Sequence, residues 1–260
     1  MVGLRKTYGL INYNMIPKII HYCGFGDGEN TKLSQKCIQG WKNTLKGYEI
    51  IEWNEKNFNI NINRYVKEAY DCKKYAFVSD YVRLYALLNY GGIYLDTDVE
   101  VLRDFDSFLE LEAFVGFEDN ELVSTAIIGA KRGNSIIEEW FNTYANRNFL
   151  NNGKMNEVTN VRVFTNLLLK YGLIQNTTLQ RIKNNTITIY PTEYFSPLKF
   201  GSKIPKSTKN TVTIHWFEGT WTTLSKRIKI KVIVMVKTVI GFRIYNKIKS
   251  YIKNGVTYEL

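Results

Sequence analysis

Cysteine is scarce in this chain. Only Cys23, Cys37 and Cys72 occur in 260 residues. The count is odd and no cysteine stands in a CxxC or Cys/His spacing. That excludes a disulfide-stapled scaffold and a cysteine-based zinc site, and it fits a reduced, cytoplasmic setting. Proline is nearly as rare, at four residues, and no Ser/Gly/Pro-rich linker appears, so a fibrous or low-complexity chain is excluded. No stretch approaches the ~18 uncharged apolar residues of a membrane span. The first twenty residues begin basic, but Asn12 and Asn14 interrupt any apolar run and no small-residue cleavage site follows. No signal peptide is expected.

The chain also lacks acidic residues relative to basic ones, with a formal net charge of +11. The imbalance is local. Residues 224–260 hold nine basic groups, among them Lys226, Arg227, Arg243 and Lys253, against Glu259 alone, so this tail contributes +8 and residues 1–223 only +3. So little charge outside the tail does not make a nucleic-acid groove, and no nucleic-acid motif is present. The organisation expected is one domain over 1–223 and a basic, amphipathic helical tail over 224–260. In the tail Ile240, Ile244, Ile248 and Ile252 recur every four residues, while Ile228 to Val232 alternates like a strand. Either the lysines are merely solvated around a packed isoleucine stripe, or the tail rests on an anionic membrane surface.

What the chain has in quantity is core material: 45% hydrophobic residues, with 18 Tyr, 14 Phe and 5 Trp. The pattern alternates strands and helices. Strands are expected at Lys18–Cys23, Tyr48–Trp53, Ile93–Leu95, Ala113–Gly116, Ala126–Gly129, Ile187–Tyr190 and Thr211–His215. Helices are expected at Leu33–Leu45, Asn63–Tyr70, Ala76–Tyr90, Ser135–Ala145 and Val161–Tyr171. The helix over 76–90 is the clearest. Val78, Tyr81, Val82, Tyr85 and Leu88 follow helical spacing, Ser79 and Asp80 stand near its start, and Gly91-Gly92 stop it. A helix, a glycine stop and a short buried run imply an α/β sheet.

Chemistry concentrates just after that run, at Asp96-Thr97-Asp98. If the strand stays extended, the two carboxylates point to one side at the carboxyl end of the sheet, where ligands of open α/β folds gather. Two adjacent carboxylates repel each other unless a cation lies between them. Mg²⁺ or Mn²⁺, hard ions that share their shell with substrate phosphates, fit such a pair. A bare DxD is more often a solvated turn; the preceding Gly-Gly stop and apolar strand favour the metal. Asp80 and Arg83, three apart on the helix, share a face. They form either a surface ion pair or a sugar-hydroxyl acceptor with its orienting partner. His215, one of two histidines, ends a strand and is either a core residue or a third metal ligand. Trp221 either packs or donates its indole N–H to a phosphate. His21, the other histidine, is expected to be structural.

These residues resemble the bacterial, capsule-type branch of glycosyltransferase family 32, the DXD sugar-binding-region glycosyltransferases. The likeness runs from Ile16-Pro17-Lys18-Ile19-Ile20-His21-Tyr22 through Trp53-Asn54-Glu55, Ala76-Phe77-Val78-Ser79-Asp80-Tyr81, Gly91 to Val101, Gly116-Phe117-Glu118 and Thr125 to Ala130, as far as Trp221. It implies a Rossmann-like GT-A fold and a retaining transfer from a nucleotide-sugar donor, a UDP-sugar being favoured. The acceptor would be a glycan or lipid-linked glycan in surface or capsular polysaccharide biosynthesis, with Mn²⁺ or Mg²⁺ as cofactor. By position, Asp98 would be the principal metal ligand, Asp96 would contact ribose or sugar and help the metal, and Asp80 and Arg83 would hold the donor sugar. His215 and Trp221 would fold over the diphosphate. Where the family often has a base-stacking Trp, this chain has Gly24 followed by Phe25, so Tyr22 or Phe25 is the candidate to stack the base. No obligatory nucleophile is visible, and the donor phosphate would then guide the acceptor on the same face. The enzyme would be cytoplasmic and peripheral on the inner face of the membrane. Two other classes remain open. One is a non-catalytic basic module for membrane surfaces or glycans. The other is an Asp-nucleophile phosphotransferase, against which Glu100 stands where that chemistry wants Thr or Val.

Overall fold

A computed structural model of the chain describes residues 14–26, 28, 30–199, 202 and 204–219. The elements below belong to one compact unit, Met1–Lys199 with Ile204–Trp216; residues 200–203 and 217–260 form a second. Trp221 and the expected strand and helix of the basic tail lie outside the described residues.

The expected α/β alternation is present. The chain begins β1 (Ile19–Cys23), α1 (Lys32–Thr44), β2 (Glu49–Trp53), α2 (Arg64–Asp71), α3 (Tyr75–Tyr90) and β3 (Gly92–Leu95). It continues through β4 (Val99–Val101), β5 (Ala113–Gly116), β6 (Ile127–Ala130), α4 (Ser135–Asn142), β7 (Leu150–Asn151), β8 (Lys154–Met155) and α5 (Asn160–Leu169). It ends with β9 (Gln180–Ile182), β10 (Ile187–Tyr190), α6 (Thr192–Phe195) and β11 (Thr213–His215). Seven strands form one sheet in the order β2-β1-β3-β6-β5-β10-β9. Strands β2, β1, β3, β5 and β10 run one way, and β6 and β9 oppose them. A separate two-stranded ribbon pairs β11 with β4, setting His215 opposite Val99.

The period-two alternation of the strands builds two cores, one per sheet face. Ile19, Trp53, Tyr94 and Ile128 face α2, α3, α4 and α5, while Ile20, Ile93, Leu95 and Phe114 face α1 and the β4 side. Helix α3 is buried well beyond the expected stripe, taking in Phe77, Leu84 and Ala86, because α2 and α4 pack against it in addition to the sheet. Its start differs from the expectation. It begins at Tyr75 without a side-chain cap. Ser79 is a full turn inside, its hydroxyl donating back to the Tyr75 carbonyl at 3.1 Å. Asp80 is therefore not a capping acid.

The Gly-Gly stop behaves as the sequence suggests. Gly91 closes α3 at φ 68° and ψ −172°, and a Cβ there would lie 2.7 Å from the Arg132 amide nitrogen. Gly92 has φ +109°, and a Cβ would fall 2.6 Å from the Ile19 carbonyl of the neighbouring strand. Only glycine combines these dihedrals with this closeness. The order β2-β1-β3 means that the chain goes one way from β1 through α1 and crosses back through α2 and α3. The crevice between the carboxyl ends of β1 and β3 is thus a topological switch point, where open α/β sheets bind ligands.

Candidate active site

Asp96 follows β3 at that crevice. The extended geometry expected for Asp96-Thr97-Asp98 is not what forms: β3 ends at Leu95, and the three residues make a turn into β4. The turn is tied from three sides. The Asp96 amide donates to the Ala126 carbonyl at 2.8 Å, the Val99 amide closes onto the Asp96 carbonyl at 3.0 Å, and the Trp216 amide donates to the Asp98 carbonyl at 3.1 Å. Trp41 of α1, fully buried, donates its indole N–H to the Val99 carbonyl at 2.8 Å. The Ser34 hydroxyl at the start of α1 reaches the Thr97 hydroxyl at 3.3 Å. The carboxylates converge because this turn is clamped, with no contribution from strand alternation.

Asp96, Asp98 and His215 each offer one ligand atom, and these atoms lie within 4.8 Å of one another. His215 Nε2 stands 3.4 Å from Asp98 Oδ1. Burial lowers the affinity of His215 for a proton, but the charges of Asp98, Asp96 and Glu118 outweigh it and raise its pKa above the usual imidazole value. Two oxygen donors and one imidazole suit Mn²⁺ or Mg²⁺, with remaining positions for diphosphate oxygens. The residues fit the cation that the sequence implies.

Arg83 binds this cluster to Asp80. Its Nη2 is 2.9 Å from Asp80 Oδ1 and 3.4 Å from Asp96 Oδ1. Its Nη1 donates to the Thr125 carbonyl and its Nε to the Ser79 carbonyl. The guanidinium lies over the Tyr94 ring at 4.5 Å, and the Tyr94 hydroxyl donates to Asp96 at 2.9 Å. The Asp80 and Arg83 side chains are 14% and 5% exposed, so the surface ion pair weighed from sequence does not exist. Burial pushes the Asp80 carboxyl up to about 6, with Arg83 opposing and Asp96 adding to the rise. The Asp80 backbone carbonyl takes a hydrogen bond from Asn160, which Trp140 and Tyr144 hold in turn.

Thr125 meets Arg83 because of a register offset. Strands β5 and β6 pair Phe114 with Gly129, yet farther along Phe117 pairs with Val123. The β6 side therefore carries extra residues there, a bulge over Ser124 to Ala126 that turns a carbonyl into the site.

The five residues Asp80, Arg83, Asp96, Asp98 and His215 thus come together. The base-stacking candidates do not. Tyr22 is 9% exposed and belongs to the core beneath α1, its ring edge-on to Trp41 at 5.6 Å. Phe25 packs toward the other face of the sheet, edge-on to Phe58 at 6.0 Å. Between them, a Cβ on Gly24 would lie 2.3 Å from Glu52 Oε1, so a carboxylate occupies the space a larger residue at that position would need. Tyr94 and Thr125 fall within stretches of the family likeness without a role assigned to them, and Asn160 carries no motif signal. Glu118 stands within electrostatic reach of His215 and Asp96; the sequence marked it only as part of Gly116-Phe117-Glu118, without a role.

Residues 31–115 match the family described as the glycosyltransferase sugar-binding region containing a DXD motif. Over 129 residues the chain is 28% identical to inositol phosphoceramide mannosyltransferase 3 of Schizosaccharomyces pombe (strain 972 / ATCC 24843), an alignment covering 47% of this chain and 35% of that protein. The chain thus spans about a third of the length of this curated relative. Among solved structures it is similar to the PaToxG glycosyltransferase, with TM-score 0.48 and 17% identity over 60% of this chain and 69% of that one. It is also similar to a glycosyltransferase involved in the glycosylation of the major capsid of PBCV-1, with TM-score 0.44 and 10% identity over 82% and 98%. Asp96-Thr97-Asp98 lies inside the stretch that matches this DXD-containing family.

Proposed function

We propose that this chain, a glycosyltransferase by the DXD-bearing sugar-binding region it carries, is metal-dependent and transfers a sugar from a nucleotide-sugar donor, a UDP-sugar, to a glycan or lipid-linked glycan with retention at the anomeric carbon. The observation that carries the reading is the convergence of Asp96, Asp98 and His215 within 4.8 Å at the switch point of a mixed α/β sheet, the arrangement expected of a GT-A fold. Asp98 and His215 would be the main cation ligands, and Asp96, shared with Arg83 and Tyr94, would complete the protein's part of the shell. A bound Mn²⁺ or Mg²⁺ supplies Lewis-acid stabilisation to the charge that builds on the departing diphosphate. Asp80 offers its carboxylate to donor-sugar hydroxyls. Arg83 keeps that carboxylate aligned with the DXD turn by bridging Asp80 and Asp96 while it donates to the Ser79 and Thr125 carbonyls. The pair is largely shielded from solvent, which strengthens each of these interactions.

The relative named as an inositol phosphoceramide mannosyltransferase supports hexosyl transfer to a lipid-linked acceptor. The basic tail over 224–260 supports a peripheral station at an anionic membrane surface, on the cytoplasmic side, where such acceptors reside. The surface-polysaccharide setting rests on the family branch that the sequence resembles.

The test is a screen of UDP-glucose, UDP-galactose, UDP-N-acetylglucosamine and GDP-mannose for Mn²⁺-dependent release of free nucleotide. One of them should be turned over, and Asp98→Ala should lower the rate by about 100-fold or more. An inverted product anomer would remove the retaining step. Turnover of none, or turnover indifferent to EDTA, would remove the reading as a whole.

A further inference from the structure

Glu118 stands two residues beyond the last residue of β5, at the same carboxyl edge of the sheet from which Asp96 emerges. Its backbone is fixed without help from its side chain. Phe117 bridges to Val123, the Glu118 amide donates to the Leu122 carbonyl at 2.7 Å, and Asp119 Oδ1 takes the amides of Glu121 and Leu122 at 2.8 Å each. The carboxylate therefore does no work in the hairpin. It is half-buried, and among the described residues it takes no hydrogen bond and enters no ion pair. Nor is it one of the three groups whose donor atoms gather for a cation. Yet the charges of His215 and Asp96 both reach it. The carboxylate oxygens stay accessible to solvent, so a ligand bearing hydroxyl donors can take the place of water there.

The charge of Asp96 acts on both Asp80 and Glu118, but the surroundings of these two differ. The Asp80 side is closed, its side chain 14% exposed and spanned by Arg83. The Glu118 side opens onto a turn in which Asp119, Asn120 and Glu121 are exposed. The donor sugar belongs on the closed side, where water is excluded. The second substrate must come and go by the open one.

We propose that Glu118 binds the acceptor: its carboxylate accepts a hydrogen bond from a hydroxyl of the incoming acceptor sugar and sets that sugar against the donor. This rests on the transferase reading above. The test uses the full chain with the donor found in the screen, and as acceptors the methyl glycosides of glucose, galactose, mannose and N-acetylglucosamine. Glu118→Ala should raise the acceptor KM about 10- to 100-fold, the loss of one hydrogen bond to a charged group. Glu118→Gln, which keeps the shape and one acceptor oxygen, should fall between. Donor hydrolysis without acceptor, and Mn²⁺-dependent binding of UDP, should stay within about 2-fold of wild type, because neither uses the acceptor side. An unchanged acceptor KM in both variants overturns the assignment. So does a parallel loss of Mn²⁺-UDP binding, which would put Glu118 on the donor. A wild-type chain that processes no nucleotide sugar defeats the transferase reading itself, and the assignment falls with it.

Discussion

Arg83 is committed before any ligand arrives. Its guanidinium touches Asp80, Asp96, the Thr125 carbonyl and the Ser79 carbonyl while lying on the Tyr94 ring. Only a planar fork of five donors serves so many acceptors at once, so the position is one for arginine and not for lysine. His21 shows the same logic in a neutral group. Fully buried, it places Nε2 2.8 Å from the Gly91 carbonyl and takes the Trp53 indole N–H on Nδ1 at 3.2 Å, so Nε2 must carry the proton. Burial holds its pKa at about 4, below the ordinary 6.5. The folded protein therefore binds fewer protons than the unfolded chain between those values. Stability from this group is complete above pH 6.5 and is lost as pH falls toward 4, by about 3 kcal/mol over the whole interval. Urea denaturation of His21→Asn at pH 7 and pH 5 should show a less stable protein at pH 7 and a smaller loss on acidification than in wild type. Equal losses in the two proteins would show that His21 does not set the acid limb.

At the scale of elements, the join of α3 to β3 decides where the DXD turn begins. Gly92, at φ +109° with the Ile19 carbonyl 2.6 Å from any added Cβ, lets β3 lie against β1 and so forms the crevice. Gly92→Ala should cost about 1–3 kcal/mol from the backbone strain alone, with the contact adding to it; thermal melting by circular dichroism will read the loss, and an unchanged Tm would contradict the tight β1–β3 approach. This join was legible in the sequence, as a periodic helix, two glycines and an apolar run. So were α1, α2, α4, α5 and the principal strands, to within a few residues. Strands β4, β7, β8 and β9 and helix α6 were not. Each has only two to four residues, too few to show a period, and each exists because a partner pairs with it or packs on it. The site divides along the same line. The DXD could be read because two acids after a buried strand make a pattern, and His215 because histidine is rare and this one ends a strand. The Thr125 carbonyl could not, since it depends on a register offset between β5 and β6 that no local composition encodes. Glu118 could not, because its meaning lies in hydrogen bonds its carboxylate does not make. Tyr22 was misjudged for a different reason: an aromatic beside a glycine loop looks available, but strand alternation turns it under α1.

At the scale of the molecule, one crevice is assembled from segments far apart in the chain. Helix α3 brings Asp80 and Arg83, the β3–β4 turn brings Asp96 and Asp98, the β5–β6 hairpin brings Glu118, and β11 returns His215 to the DXD by pairing with β4. That return sets a histidine from more than a hundred residues downstream beside the two acids. The most direct measurement of the central claim is isothermal titration of Mn²⁺ into the wild-type chain and into Asp98→Ala, each with saturating UDP and each again without it. The account predicts one Mn²⁺ per wild-type chain, bound more tightly when UDP is present, and no resolvable binding to Asp98→Ala. Equal Mn²⁺ binding by the two proteins, or binding by wild type that UDP does not strengthen, would contradict a cation shared between these side chains and a nucleotide diphosphate.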